Sequence, residues 1–162
     1  MNFSKQSGVY KLHSEQFLPV PISRAWTFFS NPANLQLITP DDLDFNITGT
    51  DGCTAYPGQI ITYSIRISPL VKINWVTEIT HLKEESYFVD EQRFGPYKMW
   101  HHLHSFVAKE NGVLMTDIVH FKLPFRIIAP VLFRFFIKPK LTHIFQFREQ
   151  QIALFLEKHP QL

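Results

Sequence analysis

From residue 43 to residue 123 the chain reads as a series of strands cut by turn dipeptides, and this series limits the available folds more than any other feature. Segments of strand character fall near 43–49, 58–67, 71–80, 86–94, 97–107 and 113–123. Ile61, Tyr63, Ile65 and Ile67 recur with period two, as do Val71, Ile73 and Trp75, the pattern of strands that bury one face. Asp51-Gly52, Gly95-Pro96 and Asn111-Gly112 supply turn chemistry, and Ser68-Pro69-Leu70 is short enough for a hairpin. Short connections of this kind join antiparallel neighbours.

The flanks add helices. Residues 8–18 read as a first strand, ended by Pro19 and Pro21. Pro21 suits the start of a short helix whose apolar positions are Ile22, Ala25, Trp26 and Phe29. Asn31-Pro32 reads as the cap and first position of a second short helix, which stops before Pro40. After Pro124 the period changes: Leu141, Ile144, Phe145, Arg148, Ile152, Phe155 and Leu156 trace one face of a helix over 140–158. The order is one strand, two short helices, six strands and a long helix. It predicts an α+β fold with an antiparallel sheet of about seven strands and its helices on one side.

At 162 residues the chain suits one domain, 1–162, large enough to fold without staples. Its one cysteine, Cys53, excludes an intramolecular disulfide or a cysteine-cluster metal site. Met1 is followed by polar residues and no apolar run approaches the roughly 18 residues of a membrane span, so a cytoplasmic protein without stable membrane insertion is expected. Sixteen Phe, five Tyr and three Trp predict a core lined by rings. The net charge is +2, with acidic residues in excess up to Phe121 and basic ones after it. No basic run or basic-aromatic motif points to nucleic acid. No GxSxG elbow, GxGxxG or phosphate-binding loop occurs, so nicotinamide, flavin and ATP chemistry are not expected.

The hairpin of 97–107 and 113–123 carries the most informative polar residues. With a two-residue Asn111-Gly112 turn, Asp117 faces Phe106 and lies diagonal to His104; with a four-residue turn over 109–112 it faces His104 directly. Either register puts Trp100, His102, His104 and Phe106 on one face with Met115, Asp117, Val119 and Phe121. His101 and His120 then point the other way. In the preceding hairpin, a plain turn at Gly95-Pro96 sets Gln92 opposite Met99, whereas one bulged residue aligns Asp90 and Gln92 with the His102 face.

The order of elements, with AWTFFSNPANLQLITP at 25–40, FVDEQRFGPYKMWHHLHSF at 88–106 and LMTDIVHFKLPF at 114–125, resembles the helix-grip fold of the START-like (SRPBCC) superfamily. That superfamily includes polyketide cyclases, aromatases and lipid-transfer domains. The resemblance covers nearly the whole chain and implies a curved sheet wrapped around the long C-terminal helix, with an internal cavity. It also favours the bulged register at Gly95-Pro96.

On this reading the expected function is binding of a small hydrophobic or amphipathic molecule. The candidate ligand-binding residues are Asp90, Gln92, Trp100, His102, His104, Asp117, Phe121, Trp75, Tyr63 and Phe145, with Trp26, Phe29, Phe88 and Phe106 as further walls. Three roles stand open for the polar ones: satisfying one another, orienting a ligand, or acid–base catalysis by His102 or His104 with Asp117 in a cyclase-like enzyme. His102 and His104 with Asp117 or Asp90 would form a two-His-one-carboxylate set, but no HExxH or Cys–His spacing accompanies them, and no metal or other cofactor is expected. The apolar run Ile127–Ile137, broken by Pro130 and flanked by Arg126, Arg134, Lys138 and Lys140, reads as a loop and helical turn over the cavity mouth. Its functional readings are a movable gate over the cavity entrance, which the resemblance favours, or a protein- or membrane-interaction surface, including a homodimer contact.

Overall fold

The computed structural model describes residues 1–125 and 127–158. Its strands are β1 Asn2–Gln6, β2 Val9–Leu18, β3 Asn46–Thr50, β4 Ile60–Ser68, β5 Val71–Lys83, β6 Tyr87–Phe94, β7 Met99–Lys109 and β8 Gly112–Lys122. They form one antiparallel sheet in the order β1-β2-β8-β7-β6-β5-β4-β3. Between β2 and β3 lie helix α1, Ile22–Phe29, a 3-10 helix over Pro32–Ile38 and a 3-10 turn over Asp41–Leu43. The expected α+β helix-grip architecture is present.

Local chemistry explains the short helices. Pro21 stands at the start of α1, which buries Ala25, Trp26 and Phe28. Asn31 caps the 3-10 helix, its Oδ1 accepting from the Ala33 amide at 3.0 Å, and Asn34 donates back to the Phe28 carbonyl at 2.8 Å.

The sheet has eight strands where about seven are expected. The additional one, β1, pairs Gln6 with Val9 around Ser7 and Gly8, whose φ values of +49° and +81° suit a tight hairpin turn. Only Phe3 of β1 is even half-buried, so the strand has almost no apolar alternation to announce it.

The C-terminal helical run also departs from expectation. It opens with α2 at Ala129–Leu132, continues through a π-helical turn over Phe133–Ile137 and becomes α3 at Lys138–Lys158. Pro130 sits in the first turn, where its missing N–H costs nothing. Pro139, which would interrupt an ordinary ladder, follows the π turn, where the Lys138 amide donates to the Phe133 carbonyl five residues back. Thus 127–137 is mostly helix. Arg126, expected to flank it, lies outside the described residues. No helix among the described residues is long and apolar enough to cross a membrane.

On the inward face of the sheet two apolar clusters stand apart. One gathers Trp26, Phe28, Phe88, Phe106, Val113 and Met115 with Ile152 and Leu156 of α3. The other gathers Tyr10, Leu12, Val119 and Phe121 with Leu141 and Phe145. Reading along β8, Val113 and Met115 belong to the first and Val119 and Phe121 to the second. Asp117 falls between them.

The β7–β8 register pairs Lys109 with Gly112 and His104 with Asp117, the four-residue-turn alternative. Gly112 is held where a Cβ would stand 2.2 Å from the Leu18 carbonyl oxygen of β2. Gly112→Ala is expected to destabilise the protein by about 1–3 kcal/mol through this backbone clash. Urea unfolding measures it; an unchanged midpoint would show that β2 and β8 do not approach so closely.

Candidate functional site

Between the two apolar clusters lies a ring of four polar side chains. Asp90 of β6 pairs opposite His102 of β7, and His104 opposite Asp117 of β8, so all four share the inward face. This is the register that a bulge near Gly95-Pro96 requires. The two imidazoles lie against each other with centroids 3.7 Å apart and planes tilted by 35°. His102 Nε2 is 2.9 Å from Asp117 Oδ1, and His104 Nε2 is 2.8 Å from Asp90 Oδ2. The remaining nitrogens face the opposite carboxylates: His102 Nδ1 is 3.4 Å from Asp90 Oδ2, and His104 Nδ1 is 2.8 Å from Asp117 Oδ1. The last contact is close but poorly angled, leaving His104 Nδ1 without a hydrogen-bond partner among the described residues. His102, His104 and Asp117 are buried.

Burial and pairing compete at each group. Burial raises the Asp117 pKa, but the hydrogen bonds and charges of His102 and His104 outweigh it and hold the carboxyl well below its ordinary range. Asp90 is likewise pushed up by burial and brought lower overall by His102 and His104, helped by Arg148. For His104, burial lowers the pKa, yet Asp117 and Asp90 raise it above the usual histidine value. For His102, burial and the neighbouring His104 charge prevail over both carboxylates and lower it. The ring therefore favours two carboxylates, one imidazolium and one neutral imidazole.

Beside it opens a cavity of about 200 Å³. Asp90, His102 and His104 reach its wall, with Tyr63, Trp75, Trp100 and Phe145. Gln92, Asp117 and Phe121 are not among its described lining residues. The Gln92 amide braces the turn instead, donating to the Tyr97 carbonyl at 2.7 Å and accepting from its amide at 3.2 Å. Phe121 packs in the second apolar cluster, and Asp117 stands behind the histidines. Of the other rings singled out above, Phe29 and Phe88 line the cavity, whereas Trp26 and Phe106 belong to the first cluster without doing so.

Several lining residues escape the sequence reading, notably Phe45, Tyr97 and Thr77, whose hydroxyl meets that of Tyr63 at 3.0 Å. Arg148 is the most telling. It stands on the apolar face of α3, packs over the Phe145 ring and lines the cavity. A cation on a helix stripe that otherwise buries Leu141, Phe145 and Ile152 is the signal that marks it. Trp75 Nε1 and Arg148 Nε are buried without a hydrogen-bond partner among the described residues.

The run 127–137 does not cover the cavity: none of its described residues lines it. Phe133 instead stacks on Tyr10 at 4.2 Å and meets Phe3 edge-on at 5.7 Å. The helix wall of the cavity comes from α3, where Lys140 donates to the Ile67 carbonyl at 2.6 Å. His101 and His120 lie on the outer face, His101 paired with Glu91 at 2.8 Å. Although the sequence carries no metal-site spacing, folding brings donor atoms of Asp90, His102 and His104 within 4.8 Å of one another.

Solved structures share this architecture. The chain is similar to protein Ms6760 from Mycobacterium smegmatis, at 15% identity over 98% of each chain with a TM-score of 0.67. It is similar to protein NE0264 from Nitrosomonas europaea, at 12% identity over 98% of this chain and 100% of that one, TM-score 0.66. It also resembles Ara h 8.0201, at 17% identity over 90% and 98% of the two chains, TM-score 0.59. No family model matches the chain. No curated protein matches it either. At these identities the likeness establishes the fold alone, the helix-grip α+β architecture.

The ring predicts a specific response to Asp117→Asn in chelator-treated protein. The His104 pKa should fall, because the carboxylate that favours its imidazolium is gone. Since Asp117 is held down in the fold, its stabilising contribution exists above the unfolded pKa of about 3.9 and is lost as pH falls through the folded value. The variant should therefore be about 3–5 kcal/mol less stable at neutral pH and lose less stability on acidification. Ring-nitrogen NMR titration and urea unfolding across pH test both; an unmoved His104 titration would dissolve the pairing.

Proposed function

We propose that the protein binds a compact, largely apolar molecule carrying one anionic or strongly polar oxygen group. The observation that carries this reading is the conjunction of an aromatic-walled cavity with unpaired buried donors on two of the side chains that wall it. Trp75 Nε1 and Arg148 Nε are donors without partners among the described residues, and both side chains line the same space. Buried polar groups are ordinarily paired, and those left over in a cavity mark where a ligand supplies the acceptor. The volume of about 200 Å³ suits a one- or two-ring compound, given that an engineered cavity of roughly 150 Å³ holds benzene. The apolar part would lie against Tyr63, Trp75 and Phe145, and the oxygen group toward Arg148 and the histidine ring.

An environment-sensitive naphthalene fluorophore bearing a carboxylate tests this directly. Saturable one-to-one binding is expected. Arg148→Met should weaken the carboxylate probe by roughly 10–100-fold, the value of a lost hydrogen bond to a charged group, while barely affecting a neutral analogue. Equal weakening of both, or no saturable signal from either, would count against the assignment.

A second reading rests on the outer side of the C-terminal run. Phe125, Ile127, Val131, Phe135 and Phe136 are 70%, 94%, 57%, 63% and 64% exposed. So many large apolar side chains on one short stretch suggest a contact surface for a second copy of the chain. Sedimentation should then show a concentration-dependent dimer that Phe136→Glu abolishes without altering fluorophore binding. A strictly monomeric protein would end this reading, and liposome flotation would redirect it to a membrane surface.

A further inference from the structure

The geometry points to a divalent transition-metal site formed by Asp90 Oδ2, His102 Nδ1 and His104 Nε2, backed by Asp117 and open toward the cavity.

The first ground is the nitrogen count. All four imidazole nitrogens of His102 and His104 face a carboxylate oxygen, at 2.8–3.4 Å. Two of these contacts, His102 Nε2 to Asp117 and His104 Nε2 to Asp90, have hydrogen-bond geometry; protonating the other two nitrogens as well would make two imidazolium ions with ring centroids 3.7 Å apart in a buried site. Two like charges at that spacing disfavour each other strongly. With only one ring charged, a bare nitrogen lone pair faces an oxygen lone pair. A divalent ion resolves this conflict. It replaces the proton on the Asp90 side of each ring and leaves each imidazole neutral, with the His102 Nε2–H donated to Asp117 and the His104 Nδ1–H beside the same carboxylate.

The second ground is the division of labour between the carboxylates. Asp90, His102 and His104 reach the cavity wall, whereas Asp117 is not among the described lining residues. Asp117 Oδ1 instead stands behind both rings, hydrogen-bonded to His102 Nε2 at 2.9 Å and lying 2.8 Å from His104 Nδ1 in a contact too poorly angled for a hydrogen bond. Ligating histidines characteristically direct their second nitrogen at a carboxylate in this way, which fixes the tautomer and raises the basicity of the ligand. A ring serving only its own hydrogen bonds has no reason to expose one side and back the other.

Distances agree as well. Donors around a four-coordinate ion at 2.0–2.2 Å stand roughly 3.3 Å apart. Asp90 Oδ2 is already 3.4 Å from His102 Nδ1 and 2.8 Å from His104 Nε2, and the three donors lie within 4.8 Å of one another, so side-chain shifts of roughly an ångström admit the ion. Two nitrogens and one oxygen suit zinc, iron, cobalt or nickel better than calcium or magnesium. The position left open faces the same space as Arg148, so the oxygen group of a bound molecule could complete the coordination. The metal site does not depend on that ligand, since its test uses the ion alone.

Full-length protein stripped with chelator and titrated with Co²⁺ provides the test, followed by visible absorption and ring-nitrogen NMR. One equivalent should bind and produce ligand-field absorption, with the His102 and His104 signals shifting while those of outer-face His101 and His120 stay in place. Zn²⁺ should displace it. Asp117→Asn should weaken binding about 10–100-fold, and Asp90→Asn by more, whereas His143→Gln on the surface should leave it unchanged. Should either ring variant fail to fold, the wild-type NMR shifts decide alone. Absence of stoichiometric uptake, uptake that leaves the His102 and His104 signals unmoved, or full retention in folded Asp90→Asn would overturn the site.

Discussion

The structure turns on the burial of charge between two apolar clusters. Asp90, His102, His104 and Asp117 occupy the centre of the inward face, where a packed core would place aliphatic side chains. Isolated charges there would cost many kilocalories, so each must find a partner on a neighbouring strand. Three strands supply them, which ties β6, β7 and β8 to one alignment. A slip of one residue would turn His101 and Leu103 inward and strand the acidic partners among rings. The alignment then dictates where Phe88, Phe106 and Met115 meet α1 on one side of the ring, and where Phe121 and Val119 meet Tyr10 on the other.

The cavity follows from the same constraint. A polar ring cannot be packed over by apolar side chains without losing its residual hydrogen bonding, and α3 crosses it carrying Arg148 rather than another leucine or phenylalanine. Around this level Trp75 meets Trp100 at 89° and Tyr97 at 61°, both edge-to-face, and stacks on Tyr63 at 19°. Rigid rings held by one another in this manner leave space between their edges that flexible aliphatics would have filled.

Much of this is legible in the chain because period-two alternation is a strict rule. The shared inward face of Trp100, His102, His104 and Phe106 with Met115, Asp117, Val119 and Phe121 holds for either turn length considered, and the fold has it. The choice of turn is not legible. It depends on Gly112 passing within contact of Leu18 on a strand far away in sequence, a contact no local pattern reports. Strand β1 escapes notice for a related reason: its only inward ring, Phe3, packs against Phe133 near the other end of the chain. Without β1, the run 127–137 lacks a visible partner and reads as a cover for the cavity. Pro130 misleads, because it begins a helix where the sequence suggests a break, and the helical run then continues through a π turn that propensity does not foresee.

Whether the ring exists for alignment or for chemistry can be argued from what each would require. Alignment needs only that the polar groups satisfy one another, and a buried ion pair is seldom the most stable way to secure it, since apolar replacements of similar volume are often neutral or stabilising. Two further features go beyond alignment. The ring is asymmetric, with Asp117 behind the imidazoles and Asp90 at the cavity wall, and the cavity beside it carries a cation from a helix that takes no part in the strand register. A purely structural network gains nothing from exposing one of its faces to a hollow space, because each unspent donor or acceptor there is a loss in the unliganded protein. The cost is tolerable if binding recovers it. On the proposed reading, the stability given up at the centre of the sheet is recovered by the bound molecule, with the strand register serving as the frame that keeps the donors in place.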